Sequence, residues 1–292
     1  KTYFVANALI TDEPVEKTYK ECKSKIQNYK KVINKKIAGI SNKNISNIKL
    51  KNTKIETKIK IESDQSKKEF INTVKKIKEH IKAGDIYQAV LSRTIKIKSD
   101  FNRQPLDIYK NLREINPSPY MFFVNSDECV LLGSSPEMSI RVEGDLNKIV
   151  EIRPIAGTKP RGLVNNKIDI DTDSRYETEL KIDTKEISEH IMLVDLARND
   201  IAKISKPGTR YADEPFIVEK YSHVQHLVSN VRGMLKEDLD ALHAYLSTMN
   251  MGTLTGAPKV EAMKLIRLYE KTKRGFYGGA VGYITPSGDL DS

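Results

Sequence analysis

The sequence predicts an α+β fold built on large antiparallel sheets. Two observations carry this. Segments with the two-residue alternation of strands come in consecutive runs joined by turn signals, and segments with helical periodicity fall between those runs. A regular strand–helix–strand order and internal repeats are both missing, which argues against a parallel, doubly wound sheet.

The elements follow in order. Residues 1–10 (KTYFVANALI) alternate as a strand. Residues 14–36 suit a basic amphipathic helix, with Tyr19, Cys22, Ile26, Tyr29 and Ile33 at helical spacing. Residues 37–62 are rich in Asn, Lys and Ile, lack a clear period and read as a linker. Residues 63–85 form a helix with a Phe70, Val74, Ile77 and Ile81 stripe, Ser63 or Ser66 as cap and Gly84 as stop. Residues 86–98 alternate as a strand and 105–115 are helical. Residues 120–144 read as three strands with turns at Asn125–Asp127 and Gly133–Pro136. Residues 148–162 are a strand entering a Gly/Pro loop. Ser174 starts a helix, with Glu177 completing a capping box, and Asp183 caps the next, which runs to about Ala197. Residues 223–235 form a strand and 237–248 a helix. Residues 252–266 are a loop entering a helix, and 278–285 a strand.

Composition bounds the function. The chain has 292 residues, 39% hydrophobic and 30% charged, which suits a soluble globular protein with a large core. No apolar run approaches the ~18 residues of a membrane span, and no leader-like segment opens the chain. Cys22 and Cys129 make no disulfide framework, so a cytoplasmic location is expected. Residues 1–60 hold 15 Lys, no Arg and 5 acidic residues, and so carry the whole net charge of +10. A Lys-rich stretch with few aromatics is a poor nucleic-acid surface, and neither nucleic acid nor membrane is expected as a partner. The chain opens on Lys1 and closes where a hairpin is starting, so both ends are expected to lie inside a longer protein.

Residues 184–200 (TKEISEHIMLVDLARND) pose the main chemical question. Glu186, Glu189 and His190 share one face, while Ile187, Ile191 and Val194 define an apolar side that Leu193, Leu196, Ala197 and Ile201 widen. Like charges one turn apart repel, and a buried, unpaired carboxylate is costly. A cation would offset both. Oxygen ligands favour a hard ion, and a carboxylate or two with water and substrate is the usual Mg²⁺ arrangement. A solvated face with salt bridges is the simpler alternative.

Two Gly-containing stretches, RPIAGTKPRG (153–162) and GTLTGAPK (252–259), read equally as turns or as anion cradles. In the second, Pro258 fits a first helical turn, leaving Gly256 and Ala257 to present N–H groups; the spacing of a Walker A loop is absent. In HVQH (223–226), strand alternation lets one of His223 and His226 face a given pocket, which argues against zinc. NPSPYMFF (116–123) reads as a rigid turn into a core strand.

In order, GDIYQAVLSR, NPSPYMFF, SSPEMSIRVEG, RPIAGTKPRG, DTKEISEHIMLVDLARNDIAKIS, YSHVQHLVSNVRG, GTLTGAPKVEAMKLI and RGFYGGAVGYI resemble the chorismate-utilising enzymes, over residues 65–292. The resemblance implies two facing, mainly antiparallel sheets with helices outside and the site in the cleft. It also implies a division into residues 1–62, a remnant of an N-terminal region, and residues 63–292, a catalytic domain incomplete at its C-terminus. Within the family it points to the branch that makes anthranilate: ammonia adds to the chorismate ring, the ring hydroxyl leaves and pyruvate is eliminated.

By the same resemblance, Glu189 is a direct Mg²⁺ ligand and Glu186 acts nearby. Gly157, Thr158, Thr253 and Tyr277 match substrate-contacting positions, Glu137 the acid that protonates the departing hydroxyl, and His226 the active-site histidine. Gln88 stands where isochorismate- and salicylate-forming relatives carry lysine; glutamine cannot activate water, and ammonia needs no such base. Ala156 stands where many aminodeoxychorismate-forming relatives carry a lysine nucleophile, so that branch is the alternative. Pro119, Tyr120 and Met121 match part of a tryptophan feedback site. A glutaminase subunit is the implied ammonia source, since a glutaminase triad is not found in this sequence. The family's substrate-binding arginine, glycine-rich carboxylate loop and second glutamate pair are also not found, so low activity of the isolated chain is expected.

Overall fold

The computed structural model describes residues 15–39, 60–98, 104–164 and 167–292. The strand expected at 1–10 and most of the linker expected at 37–62 lie outside them. The chain divides into two units, Lys1–Glu56 and Thr57–Ser292. The described part of the first is the basic helix α1 (Val15–Gly39), with Tyr19 and Tyr29 exposed.

The second unit opens with β1 (Lys60–Ser63), α2 (Lys67–Ala83), β2 (Gln88–Ala89), β3 (Ile95–Lys98) and α3 (Pro105–Ile115). Ser66, not Ser63, caps α2. Its hydroxyl accepts from Glu69 N at 3.3 Å and the Glu69 carboxylate accepts from Ser66 N at 2.8 Å. Gly84 ends the helix at φ 84°. The strand expected over residues 86–98 breaks in two because its halves have different partners: β3 pairs with β1, and β2 with a later segment.

Next come β4 (Tyr120–Asn125), β5 (Val130–Ser135), β6 (Arg141–Glu143), β7 (Ile149–Ile152), β8 (Ile155–Pro160), β9 (Leu163–Val164) and β10 (Lys167–Ile168), then α4 (Ile170–Ile182) and α5 (Thr184–Ile204). Two expectations need correction here. Gly133–Ser135 belong to β5 rather than to a turn. Asp169, accepting from Thr172 N at 3.0 Å, caps α4, so Ser174 lies inside the helix. Asp183 caps α5 as expected, accepting from Lys185 and Glu186 N–H groups. That helix runs past Ala197 because Ile201 and Ile204 continue its buried stripe.

The chain finishes with β11 (Tyr211–Lys220), β12 (Val224–Met234), α6 (Ala241–Thr248), β13 (Gly256–Ala257), α7 (Lys259–Tyr269), β14 (Tyr283–Ile284) and β15 (Leu290–Asp291). The principal sheet has seven strands in the order β11-β12-β7-β6-β15-β14, with β8 also on β12. Its pairings are antiparallel. The other described strands pair two by two: β1–β3, β2–β13, β4–β5 and β9–β10. The α+β class with antiparallel sheets is thus observed. Tyr120 on β4 donates from its hydroxyl to Asp291 Oδ1 on β15 at 3.1 Å, tying the β4–β5 ribbon to the principal sheet.

Strand alternation gives that sheet two chemistries. One face is apolar: Ile140, Val142, Val150, Ile152, Val231 and Leu290 pack with Ala197, Ile201 and Ile204 of α5 and Ala241 and Ala244 of α6. The other carries a row of directly opposed residues, Tyr211, Arg232, Glu151, Arg141, Asp291 and Tyr283, one per strand from β11 to β14. Glu151 is buried and accepts from Arg141 at 2.5 Å and from Arg232 at 3.3 Å. Among the described residues, no helix is long and apolar enough to cross a membrane.

Candidate active site

Gly157 sits where β8 breaks register against β12. His226 faces Thr158 and Leu227 faces Ala156, which leaves Gly157 as the extra residue of a bulge at φ 75°. The stretch read as a possible loop is therefore a bulged strand. The positive φ favours glycine, and a Cβ on Gly157 would stand 3.1 Å from Leu180, 3.2 Å from Leu227 and 3.3 Å from Glu186 Oε2, so those side chains would have to give way by a few tenths of an ångström.

The bulge sets the state of His226. Its Nδ1 lies 3.1 Å from the Gly157 carbonyl and 2.9 Å from Thr158 Oγ1. The carbonyl can only accept, so Nδ1 donates this hydrogen bond and Nε2 is the ring nitrogen not engaged with the bulge. His223 is exposed and bonds to its neighbour Ser222. Alternation thus separates the two histidines, as expected.

A second group forms on a cavity of about 470 Å³ lined by Tyr120, Phe122, Glu137, Thr253, Leu254, Phe276 and Tyr277, among others. Glu137 Oε1 is buried and has no hydrogen-bond partner among the described residues. Burial pushes this carboxyl up to about 7, with Thr253 acting in the other direction. Thr253 follows Gly252, which lies so close to α5 that an added Cβ would stand 1.9 Å from Leu196 Cδ2.

Tyr221 links the two groups. Its ring meets the His226 imidazole edge-on, centroids 5.6 Å apart, and its hydroxyl donates to Glu219 Oε2 at 2.8 Å. Burial first, then Glu219, and to a smaller degree Glu137, push the phenol up to about 12. Glu219 is in turn held by Arg153, which donates to Asn230 at 2.7 Å. Sequence reasoning passed over Tyr221; the signal was an aromatic just ahead of HVQH.

A model of chorismate binding enzymes matches residues 2–292. The chain belongs to that family. It is 47% identical, over its whole length and 54% of the relative's, to "Anthranilate synthase component 1" of Buchnera aphidicola subsp. Rhopalosiphum maidis. It is 45% identical to the Vibrio cholerae protein of the same name, over 96% of this chain and 51% of that one. The crystal structure of anthranilate synthase component I from Streptococcus pneumoniae TIGR4 superposes with a TM-score of 0.78 at 31% identity, covering 98% of this chain and 58% of that one. The chain spans about half the length of the curated relatives it matches.

In this chorismate binding enzyme the acidic pair on α5 shares one helix face but differs in exposure. Glu186 is 20% exposed beside Gly157, and Glu189 is 47% exposed. Lys185 lies 3.7 Å from the first and 3.6 Å from the second. His190, one turn on from Glu186, differs from them in burial. It is fully buried, with Nε2 2.7 Å from Ser229 Oγ on β12, and burial pushes it down to about 4. Ile191, expected on the apolar side, is exposed, and Leu193, Ala197 and Ile201 form the buried stripe instead. Among the described residues no three His, Cys, Asp or Glu side chains gather as a metal cluster. What the chain provides is two oxygen-donating carboxylates, with the space beside Glu186 kept open by the missing Cβ of Gly157. That donor set fits part of a hard-cation site completed by water and substrate.

Other expected residues are dispersed. Gln88 lies on β2 opposite Ala257, its Oε1 buried without a partner among the described residues. Gly256 and Ala257 form β13 rather than a helix-start cradle. Tyr120 faces the Glu137 cavity, whereas Met121 alternates to the other side of β4 and Pro119 is exposed just before it.

Proposed function

We propose that this protein is the large subunit of an anthranilate synthase, converting chorismate and ammonia to anthranilate and pyruvate in the first committed step towards tryptophan. Glu137 carries the reading. A carboxyl that is half-protonated near neutrality and faces a cavity can pass a proton to a departing ring hydroxyl, which then leaves as water.

The other residues take complementary parts. Thr253 and Tyr277 line the same cavity and contact the substrate there. Thr158 and Gly157 orient His226 so that Nε2 accepts the ring proton lost as pyruvate is eliminated. Glu189, with Glu186 nearby, would hold Mg²⁺, which supplies positive charge for the ring carboxylate. Gln88 offers no base to activate water, so ammonia is the nucleophile, and Ala156 offers no amine for a covalent route. A glutaminase subunit supplies the ammonia. Tryptophan acts as feedback inhibitor through Pro119, Tyr120 and Met121.

Incubation with chorismate, ammonium and Mg²⁺, followed by fluorescence and mass analysis, tests this. Anthranilate is the expected product. Aminodeoxychorismate or isochorismate without anthranilate would overturn the reading.

A further inference from the structure

Arg274 and Glu270 form a buried ion pair outside the residues discussed so far, their side chains 13% and 7% exposed. Arg274 donates from Nε to Glu270 Oε2 at 2.9 Å and from Nη2 to Glu270 Oε1 at 2.6 Å. Its remaining donors leave the pair. Nη2 reaches the Val90 carbonyl at 2.6 Å, and Nη1 reaches the Leu254 carbonyl. Its guanidinium also lies 5.5 Å from the centroid of the Tyr277 ring. Glu270 is anchored from the far side by Ser92, whose N–H and hydroxyl donate to Oε1 at 2.8 and 3.0 Å.

These contacts fall on three separate segments. Leu254 follows Thr253, Val90 lies two residues past Gln88, and Tyr277 is itself a cavity residue. We propose that Arg274, locked by Glu270, is the positioning residue that holds Thr253, Tyr277 and the Gln88 strand in one arrangement before substrate arrives. The planar fork suits this task because it serves a carboxylate and two carbonyls at once. Lysine keeps the charge but not the fork. The proposal takes the identity of the substrate, and nothing else, from the function proposed above.

The test compares Arg274→Lys and Ser92→Ala with the parent in a Tyr277→Trp background, where the new indole is the only one because this chain has no Trp. Far-UV circular dichroism establishes that each variant is folded. Without substrate, Arg274→Lys is expected to shift the indole emission to the red, and Ser92→Ala to shift it less in the same direction. Unchanged emission in both variants overturns the proposal, whatever the protein acts on. In the Tyr277 protein, Arg274→Lys is expected to raise the chorismate KM about tenfold with kcat altered less than about threefold. A KM equal to the parent's also overturns it. A parent that turns chorismate into a product other than anthranilate instead defeats the functional reading, and where turnover is too slow to give a KM the emission arm alone decides the role of Arg274.

Discussion

The carbonyl of Gly157 accepts a hydrogen bond from Nδ1 of His226 at 3.1 Å, so a single left-handed residue orients the imidazole and leaves Nε2 as the nitrogen not engaged with the bulge. Gly157→Ala would add a Cβ to a residue at φ 75° and press it against Leu180, Leu227 and Glu186. A loss of about 1–2 kcal/mol is expected from the backbone alone, measured by urea unfolding. The His226 ¹⁵N resonances should move away from the Nδ1–H tautomer at the same time. Wild-type stability with an unmoved tautomer would remove the bulge from the mechanism.

Glu137 gives a pH signature of known sign. Burial pushes its folded pKa up to about 7, above the 4.5 of an ordinary glutamate, so the folded protein holds the extra proton between those values. Stability should therefore decline as pH rises through that window, by up to about 3 kcal/mol. Glu137→Gln should flatten the decline and lower the chemical rate more than substrate affinity. Unfolding curves at pH 5 and pH 8, with kcat at the same two values, check both.

Glu189→Ala and Glu186→Ala should each weaken Mg²⁺ binding in calorimetry, with Glu189→Ala removing Mg²⁺-dependent turnover. Retention of Mg²⁺ affinity in both would leave the α5 pair as a solvated ion-pair group with Lys185.

Gly252→Ala should cost about 1–3 kcal/mol through overpacking on Leu196. Leu196→Ala should cost a similar amount on its own, through lost packing. The double variant should be more stable than the sum of the two predicts, since each change makes room for the other. Strict additivity, measured in a thermal double-mutant cycle, would mean the two positions do not share space.

Much of this molecule was legible from one-dimensional pattern. Helix α2, with its Ser66 cap and Gly84 stop, depends on near neighbours and was read almost to the residue. Glu137, Thr253 and Tyr277, singled out by resemblance, line one cavity. What failed depended on distant partners. Gly157 looked like a loop because Gly and Pro punctuate loops, yet its bulge exists only against β12, some seventy residues on. Residues 86–98 alternate well, but a strand needs one continuous neighbour, and β1 and β13 divide them. Ser174 had the right chemistry for a cap and lost to Asp169, which stands where the β9–β10 hairpin delivers the chain.

The row of opposed charges across the principal sheet bears on how that sheet assembles. Sliding any of β12, β7 or β6 by one residue would turn Arg232, Glu151 or Arg141 towards the aliphatic floor beneath α5 and bring valines up in their place. The polar side thus reinforces the aliphatic face in specifying one alignment, because a slipped strand would bury a charge as well as expose a valine.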